Sequence, residues 1–233
     1  MWIAEAVVIY ALYTLKSSRM NFNFNFNFDS IKFMIIDCDD DKVDLITRKH
    51  DKNIKRSGNF CGEADIIKEF LDFIENKVGT DALKSLRENH YESLQKMIQE
   101  FSSEIKSSFT GNKDNYETYE MDLDSVCPNI KKYLTGSKFL ELEDNDWLID
   151  FEFDDVKAMF DPIINIIINL VNEHFDRDIS FIFLAGSLSG IKYLQNRIIK
   201  EFSDRVKHII VTPLQNVEAT QGALYYGLQL NTN

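Results

Sequence analysis

Two apolar strands, each running into a short loop, constrain this chain more than any other feature. The later strand, Phe181 to Leu184, enters the loop Ala185-Gly186-Ser187-Leu188-Ser189-Gly190, and a helical pattern of apolar residues follows as far as Phe202. A strand, a tight small-residue loop and a helix bring backbone N–H groups at the start of the helix close to an anionic ligand. The unit predicts an α/β fold with a ligand site at the loop.

The earlier strand, Phe33 to Ile36, enters a loop of a different kind. It reads Asp37-Cys38-Asp39-Asp40-Asp41-Lys42-Val43-Asp44, and a second strand continues to Thr47, which predicts a β-hairpin. Aspartates repel phosphate groups, so this loop contradicts a simple phosphate-binding role. The alternative is a solvated hairpin turn, because aspartate is common in turns.

Composition limits the classes of partner. The formal net charge of −12 predicts neither a nucleic-acid nor an anionic-membrane partner, since both require clustered Lys and Arg. Cys38, Cys61 and Cys127 lack metal-type spacing and predict free thiols in a reducing, cytoplasmic compartment. The apolar opening from Met1 to Leu15 contains Glu5 and has no signal-peptide features, which favours a core helix over an anchor.

Periodicity divides the chain into a core and an insert. Strands are expected at 116–121, 147–153 and 208–212, and helices at 3–16, 64–78, 81–109, 155–175 with an interruption at Asp161-Pro162, and 217–228. Residues 1–80 and 152–233 are predicted to form the core, and 81–151 a smaller α+β subdomain. The Asn-Phe repeat at 21–28 is expected to be an insertion or an edge strand.

The order of these elements resembles the second lobe of an actin-like ATPase, which has a ribonuclease H-like fold. Several stretches resemble the heat-shock protein 70 family, most closely its divergent fungal and animal relatives. The matching stretches are Glu5 to Tyr10, Phe33 to Arg48, Gly58 to Gly62, Leu86 to Tyr91, Phe181 to Gln195 and Val217 to Leu228. The resemblance implies a chaperone-related module that binds ATP or ADP with Mg²⁺ between two lobes, of which this chain supplies the second.

The resemblance also implies roles for individual residues. Glu5, Asp37 and Asp44 match acidic residues near the metal and its waters, where the family's catalysis takes place. Adenosine contacts are implied for Ser103, Lys106, Thr110, Gly186 and Ser187. The first three are spaced by three and four residues, which would place them on one helical face.

Departures from the family pattern lower the expected activity. The family has glycines in place of Asp39, Asp40 and Asp41, a threonine in place of Lys42 and a glycine in place of Ala185. Each added aspartate raises the free energy of a nearby phosphate by about 1–4 kcal/mol, depending on hydration. Together with the absence of the first lobe, this predicts weak or no independent ATP hydrolysis, the behaviour of a pseudoenzyme.

Three other interpretations stay open. In the first, the chain is a protein-interaction module that binds no nucleotide, with Trp2, Ile3 and the Asn-Phe repeat as candidate contacts. In the second, it is the incomplete product of a larger reading frame whose first lobe is encoded upstream. A less favoured hypothesis is a haloacid-dehalogenase-like phosphatase with Asp37 as nucleophile and Asp39 as general acid. Its expected downstream lysine and acidic pair have no clean counterpart.

Overall fold

The computed structural model describes residues 32–49 and 52–212. Several predictions fall on other parts of the chain: the first helix with Glu5, Trp2 and Ile3, the Asn-Phe repeat, and the closing helix at 217–228. They lie outside the described residues and stay predictions.

The described chain is a mixed α/β structure. Its strands are β1 Lys32–Cys38, β2 Val43–Lys49, β3 Lys52–Asn59, β4 Tyr119–Asp122, β5 Leu148–Phe151, β6 Ile179–Ala185 and β7 His208–Val211. Its α-helices are α1 Glu63–Val78, α2 Thr80–Asn89, α3 Tyr91–Glu100, α4 Leu123–Val126, α5 Gly136–Asp144, α6 Phe153–His174 and α7 Lys192–Phe202. A π-helical turn at Phe101–Lys106 follows α3, and 3₁₀ turns lie at Lys113–Asn115, Pro128–Lys132 and Ser187–Gly190.

Five strands form one sheet in the order β3-β2-β1-β6-β7. Strands β1, β2 and β3 pair antiparallel, whereas β6 pairs parallel with both β1 and β7. Strand β1 is therefore central, and Met34, Ile35 and Ile36 are all fully buried. Consecutive buried residues mean that both faces of the strand are covered, which explains why the sequence is a continuous apolar run rather than an alternating one.

Two compact units divide the chain. Among the described residues, the first comprises 32–49, 52–63, 164–190 and 194–212 and contains the five-stranded sheet; the second comprises 64–163 and 191–193 and contains the β4–β5 hairpin. Compactness does not test the predicted division into a core at 1–80 and 152–233 and an insert at 81–151, which stays a prediction.

The second unit has an aromatic core. Phe101 stacks on Phe70 with ring centroids 4.3 Å apart, and Phe70 also stacks on Phe151 at 6.0 Å. All three rings are fully buried. The every-fourth-residue apolar pattern of α1 supplies Phe70, so the sequence pattern and the core agree.

The structure corrects several element predictions. The single helix expected over 81–109 is broken at His90, whose φ of −141° and ψ of 52° are not helical. Helix α6 is not interrupted at Pro162 but runs through it. Strand β3 and helix α5 had not been expected, since their sequences are polar.

Across residues 32–49 and 52–212, no helix is both long enough and apolar enough to span a bilayer.

Candidate functional site

The carboxyl ends of β1 and β6 place the two loops of interest side by side. The strands are parallel neighbours, with Asp37 in register with Ala185. From this edge β1 connects to β2 on one side, while β6 leads through α7 to β7 on the other. Adjacent parallel strands whose connections leave in opposite directions form a topological switch point, where open α/β sheets bind their ligands.

Gly186 brings the β6 loop into direct contact with β1. Its φ is +90°, and a Cβ built on it would lie 2.0 Å from the carbonyl oxygen of Cys38. Only glycine combines this backbone conformation with such a close approach. The predicted strand, small-residue loop and helix are confirmed here as β6, Ser187–Gly190 and α7.

The acidic loop is a tight hairpin turn. The backbone N–H of Asp39 donates to the carbonyl oxygen of Lys42 at 2.9 Å, which leaves Asp40 and Asp41 at the exposed tip. Gly62, which is buried, packs against the other side of the tip, since a Cβ there would lie 2.3 Å from the Asp40 carbonyl oxygen. The tip is thus held by backbone packing.

Asp37 and Asp44 are cross-strand partners in the β1–β2 hairpin. Directly opposed residues project from the same face of a sheet, so the two carboxylates are neighbours. Asp44 forms ion pairs with Arg56 at 3.3 Å and with Lys42 at 3.6 Å. The cations offset part of the negative charge beside Asp37.

Burial, together with the carboxylates of Asp39 and Asp44, raises the pKa of Asp37 to about 6, while Lys42 and Arg56 oppose the shift. Burial also raises the pKa of Asp39, against the opposing charge of Lys42. A carboxyl group with a pKa near neutrality at the end of a buried strand is typical of functional sites, although ion-pair networks also produce such shifts.

Ser187 joins the two loops. Its hydroxyl donates a hydrogen bond to Oδ1 of Asp40 at 2.7 Å, and both side chains are exposed. The serine that the resemblance assigned to adenosine thus contacts one of the aspartates that replace the family's glycines.

Asp37 and Asp44 have the chemistry that Mg²⁺ requires. Magnesium binds one or two carboxylates, keeps several waters and takes its remaining ligands from substrate phosphates. The cross-strand pair supplies two carboxylates on one face, which fits that arrangement. Within residues 32–49 and 52–212, no group of three or more Asp, Glu, His or Cys side chains is placed to hold a metal without such help.

The three residues of the second unit that are predicted to contact adenosine do not all lie on one helical face. Ser103 and Lys106 lie on the π-helical turn, while Thr110 lies beyond the helix. The Ser103 hydroxyl donates to the backbone carbonyls of Gln99 and Glu100. Thr110 therefore does not share a helical face with Ser103 and Lys106, and the adenosine contacts of all three residues stay predictions.

Sequence reasoning missed the residues that shape the acidic hairpin. Arg56 belongs to the unexpected strand β3, and Gly62 acts through packing rather than through a side chain. A signal existed for Gly62, because the stretch Gly58 to Gly62 matched the resembled family, but no contact could be inferred from it. The Ser187–Asp40 bond joins residues 147 positions apart.

Comparisons with known proteins do not assign a family. No protein-family model matches the chain, and no curated protein matches it significantly.

Proposed function

We propose that the chain is a nucleotide-binding module of the heat-shock protein 70 type, with an actin-like, ribonuclease H-like core and little or no ATPase activity of its own. The observation that carries this proposal is the meeting of two loops at the carboxyl ends of β1 and β6, where Gly186 lies against the backbone of Cys38. Ligands of open α/β sheets bind at this kind of edge.

The order of elements supports the proposal. The described chain begins with a hairpin that carries the acidic loop, and helices with a small α+β hairpin follow it. A long helix, a strand, a Gly-Ser loop, a helix and a strand come next. This is the order that the resemblance implies between its first and last helices. A mixed sheet with β1 at its centre is compatible with it.

Each residue has a limited role in the proposed site. The Gly186-Ser187 loop would contact the nucleoside, and Asp37 and Asp44 would hold Mg²⁺ through water. Bound Mg²⁺ would neutralise phosphate charge and orient the water that attacks the γ-phosphate. Because Asp39, Asp40 and Asp41 surround this position with negative charge, we expect binding to require the metal and hydrolysis to be slow or absent.

Thermal unfolding with adenine nucleotides tests the proposal. A ligand present at about a hundred times its Kd adds about 2.7 kcal/mol to stability, so millimolar Mg-ADP should raise the Tm by several degrees. Lys106→Ala should reduce this shift if the implied adenosine contact is real, and Lys96→Ala, an exposed lysine of α3, is its control. No shift with either Mg-ADP or Mg-ATP would overturn the proposal.

One observation favours a second candidate, a protein-interaction module. Phe60 follows β3 and is 89% exposed, which is unusual for a large aromatic side chain. The turn that carries it packs against the acidic tip through Gly62. Phe60→Ser should leave stability within about 0.5 kcal/mol of wild type, as expected for a side chain that is almost fully exposed. Loss of stability would mean that Phe60 supports the fold instead.

A further inference from the structure

We infer that Asp40 is an internal competitor for the ligand of the β6 loop, so that the free protein holds its own site in a self-inhibited state. The inference rests on the proposed nucleotide site. Its basis is that the Ser187 hydroxyl already donates to the Asp40 carboxylate at 2.7 Å. A ligand group that accepts a hydrogen bond from this hydroxyl must first displace the carboxylate.

The position of Asp40 is set by backbone packing on two sides. Gly62 lies against the Asp40 carbonyl oxygen, and Gly186 lies against the Cys38 carbonyl oxygen. Neither position can accept a Cβ without a shift of the backbone. The hairpin tip and the β6 loop are consequently held next to each other, and Asp40 reaches Ser187 without any rearrangement of its turn.

The chemistry of the contact resembles that of a bound anion. A carboxylate oxygen accepting from a hydroxyl is a charge-assisted hydrogen bond of the kind that a phosphate oxygen would also form. Asp40 therefore occupies a hydrogen-bonding position and also adds negative charge there. An anionic ligand must replace the hydrogen bond and also overcome the charge repulsion, whereas a neutral nucleoside mainly has to replace the hydrogen bond.

Comparison with Asp41 separates the effect of negative charge from the effect of the hydrogen bond to Ser187. Asp41 is the next residue of the same exposed tip and carries the same charge, but it makes no hydrogen bond to a residue in 32–49 or 52–212. Removing Asp41 reduces the charge alone. Removing Asp40 reduces the charge and also releases the Ser187 hydroxyl.

Isothermal titration with Mg-ADP at constant ionic strength tests the inference in the full chain. Asp40→Ala should bind about three- to tenfold more tightly than Asp41→Ala, since the released hydrogen bond is exposed and contributes modestly. In a Ser187→Ala background the two variants should bind alike, because the donor is gone and only the charge effect is left. Both aspartates are exposed, so circular dichroism and Tm should confirm that every variant folds.

The outcomes distinguish this inference from the proposed function. If wild type binds Mg-ADP but Asp40→Ala and Asp41→Ala bind equally, the site stands and the competitor role is overturned. The competitor role also falls if the difference persists in the Ser187→Ala background. If only Asp40→Ala binds, the competitor role is supported and the wild-type chain is not itself a nucleotide-binding module. Absence of binding in every variant overturns both.

Discussion

Asp37 is a carboxyl group whose ionised form is destabilised by the fold. Its pKa is raised from 3.8 to about 6, first by burial and then by Asp39 and Asp44. The folded state therefore binds this proton more tightly than the unfolded chain does. The stabilising contribution of protonated Asp37 is complete below pH 3.8 and is lost as the pH rises through 6. Near neutral pH the folded protein therefore carries an ionised group that lowers its stability.

Asp37→Asn should therefore stabilise the protein at pH 7.5 by about 1–2 kcal/mol, after allowance for the partial exposure of the carboxyl group. The difference should disappear near pH 4, where the wild-type carboxyl is largely protonated. Urea denaturation at the two pH values measures both. Asp41→Asn, at the exposed tip, is the control and should change little. Destabilisation by Asp37→Asn at pH 7.5 would contradict this view of the residue.

The raised pKa does not decide the phosphatase interpretation. A carboxyl group must be ionised to attack phosphorus, and with a pKa of about 6 Asp37 is largely ionised at neutral pH. Asp39, the general acid of that hypothesis, lies in the turn, where its backbone N–H donates to the carbonyl oxygen of Lys42. The hypothesis stays a prediction.

Gly186 allows the effect of close packing to be separated from backbone strain. Gly79 has a similar φ of +91°, but a Cβ there would meet no atom within 4 Å. Gly79→Ala should therefore cost only the strain of a positive φ, about 1–3 kcal/mol. Gly186→Ala should cost at least about 2 kcal/mol more, because a Cβ would overlap the Cys38 carbonyl. Equal losses of free energy of unfolding would show that the two loops are not in contact.

At the scale of elements, the predictions that succeeded were those based on a local pattern of apolar residues. Continuous apolar runs identified β1 and β6, and a four-residue repeat identified α1. Strand β3 escaped prediction because it is polar and, among the described residues, pairs with β2 alone. The contacts within the site could not be predicted, since Asp37, Asp40, Gly62 and Ser187 are brought together by the sheet topology and by the backbone packing of Gly62 and Gly186.

Helix α6 shows that a proline in the sequence does not always end a helix. Pro162 lacks the N–H that would bond to the Ala158 carbonyl, yet both residues are exposed and water can satisfy that carbonyl. Packing of the helix outweighs the local penalty. Residues before and after Pro162 include the fully buried Phe160 and Ile164.

Pro162→Ala should accordingly stabilise the protein by about 1–3 kcal/mol, since the helix regains a hydrogen bond and a good helix former. Asn169→Ala, at another exposed position of α6, should give only about 0.5 kcal/mol. Chemical denaturation of both variants measures the difference. If Pro162→Ala is neutral or destabilising, the proline is adapted to a bend that α6 requires.

At the scale of the whole molecule, the net charge of −12 sets the conditions under which an anionic ligand can bind. Raising ionic strength from 0.01 to 0.15 M shortens the Debye length from about 30 to about 8 Å and screens the repulsion. Free ADP without Mg²⁺ should therefore bind at least about twofold more tightly at the higher salt concentration. A basic phosphate site would show the opposite trend, and that result would exclude the acidic hairpin as part of the site.

Amide hydrogen exchange with and without Mg-ADP tests the central claim most directly, because it reports where the ligand binds as well as whether it binds. The account predicts slower exchange for the backbone amides of 38–42 and 186–190, the loops at the carboxyl ends of β1 and β6. The amides of the β4–β5 hairpin serve as an internal reference. Unchanged exchange in both loops at saturating Mg-ADP, or protection confined to other segments, would contradict a nucleotide site at this edge of the sheet.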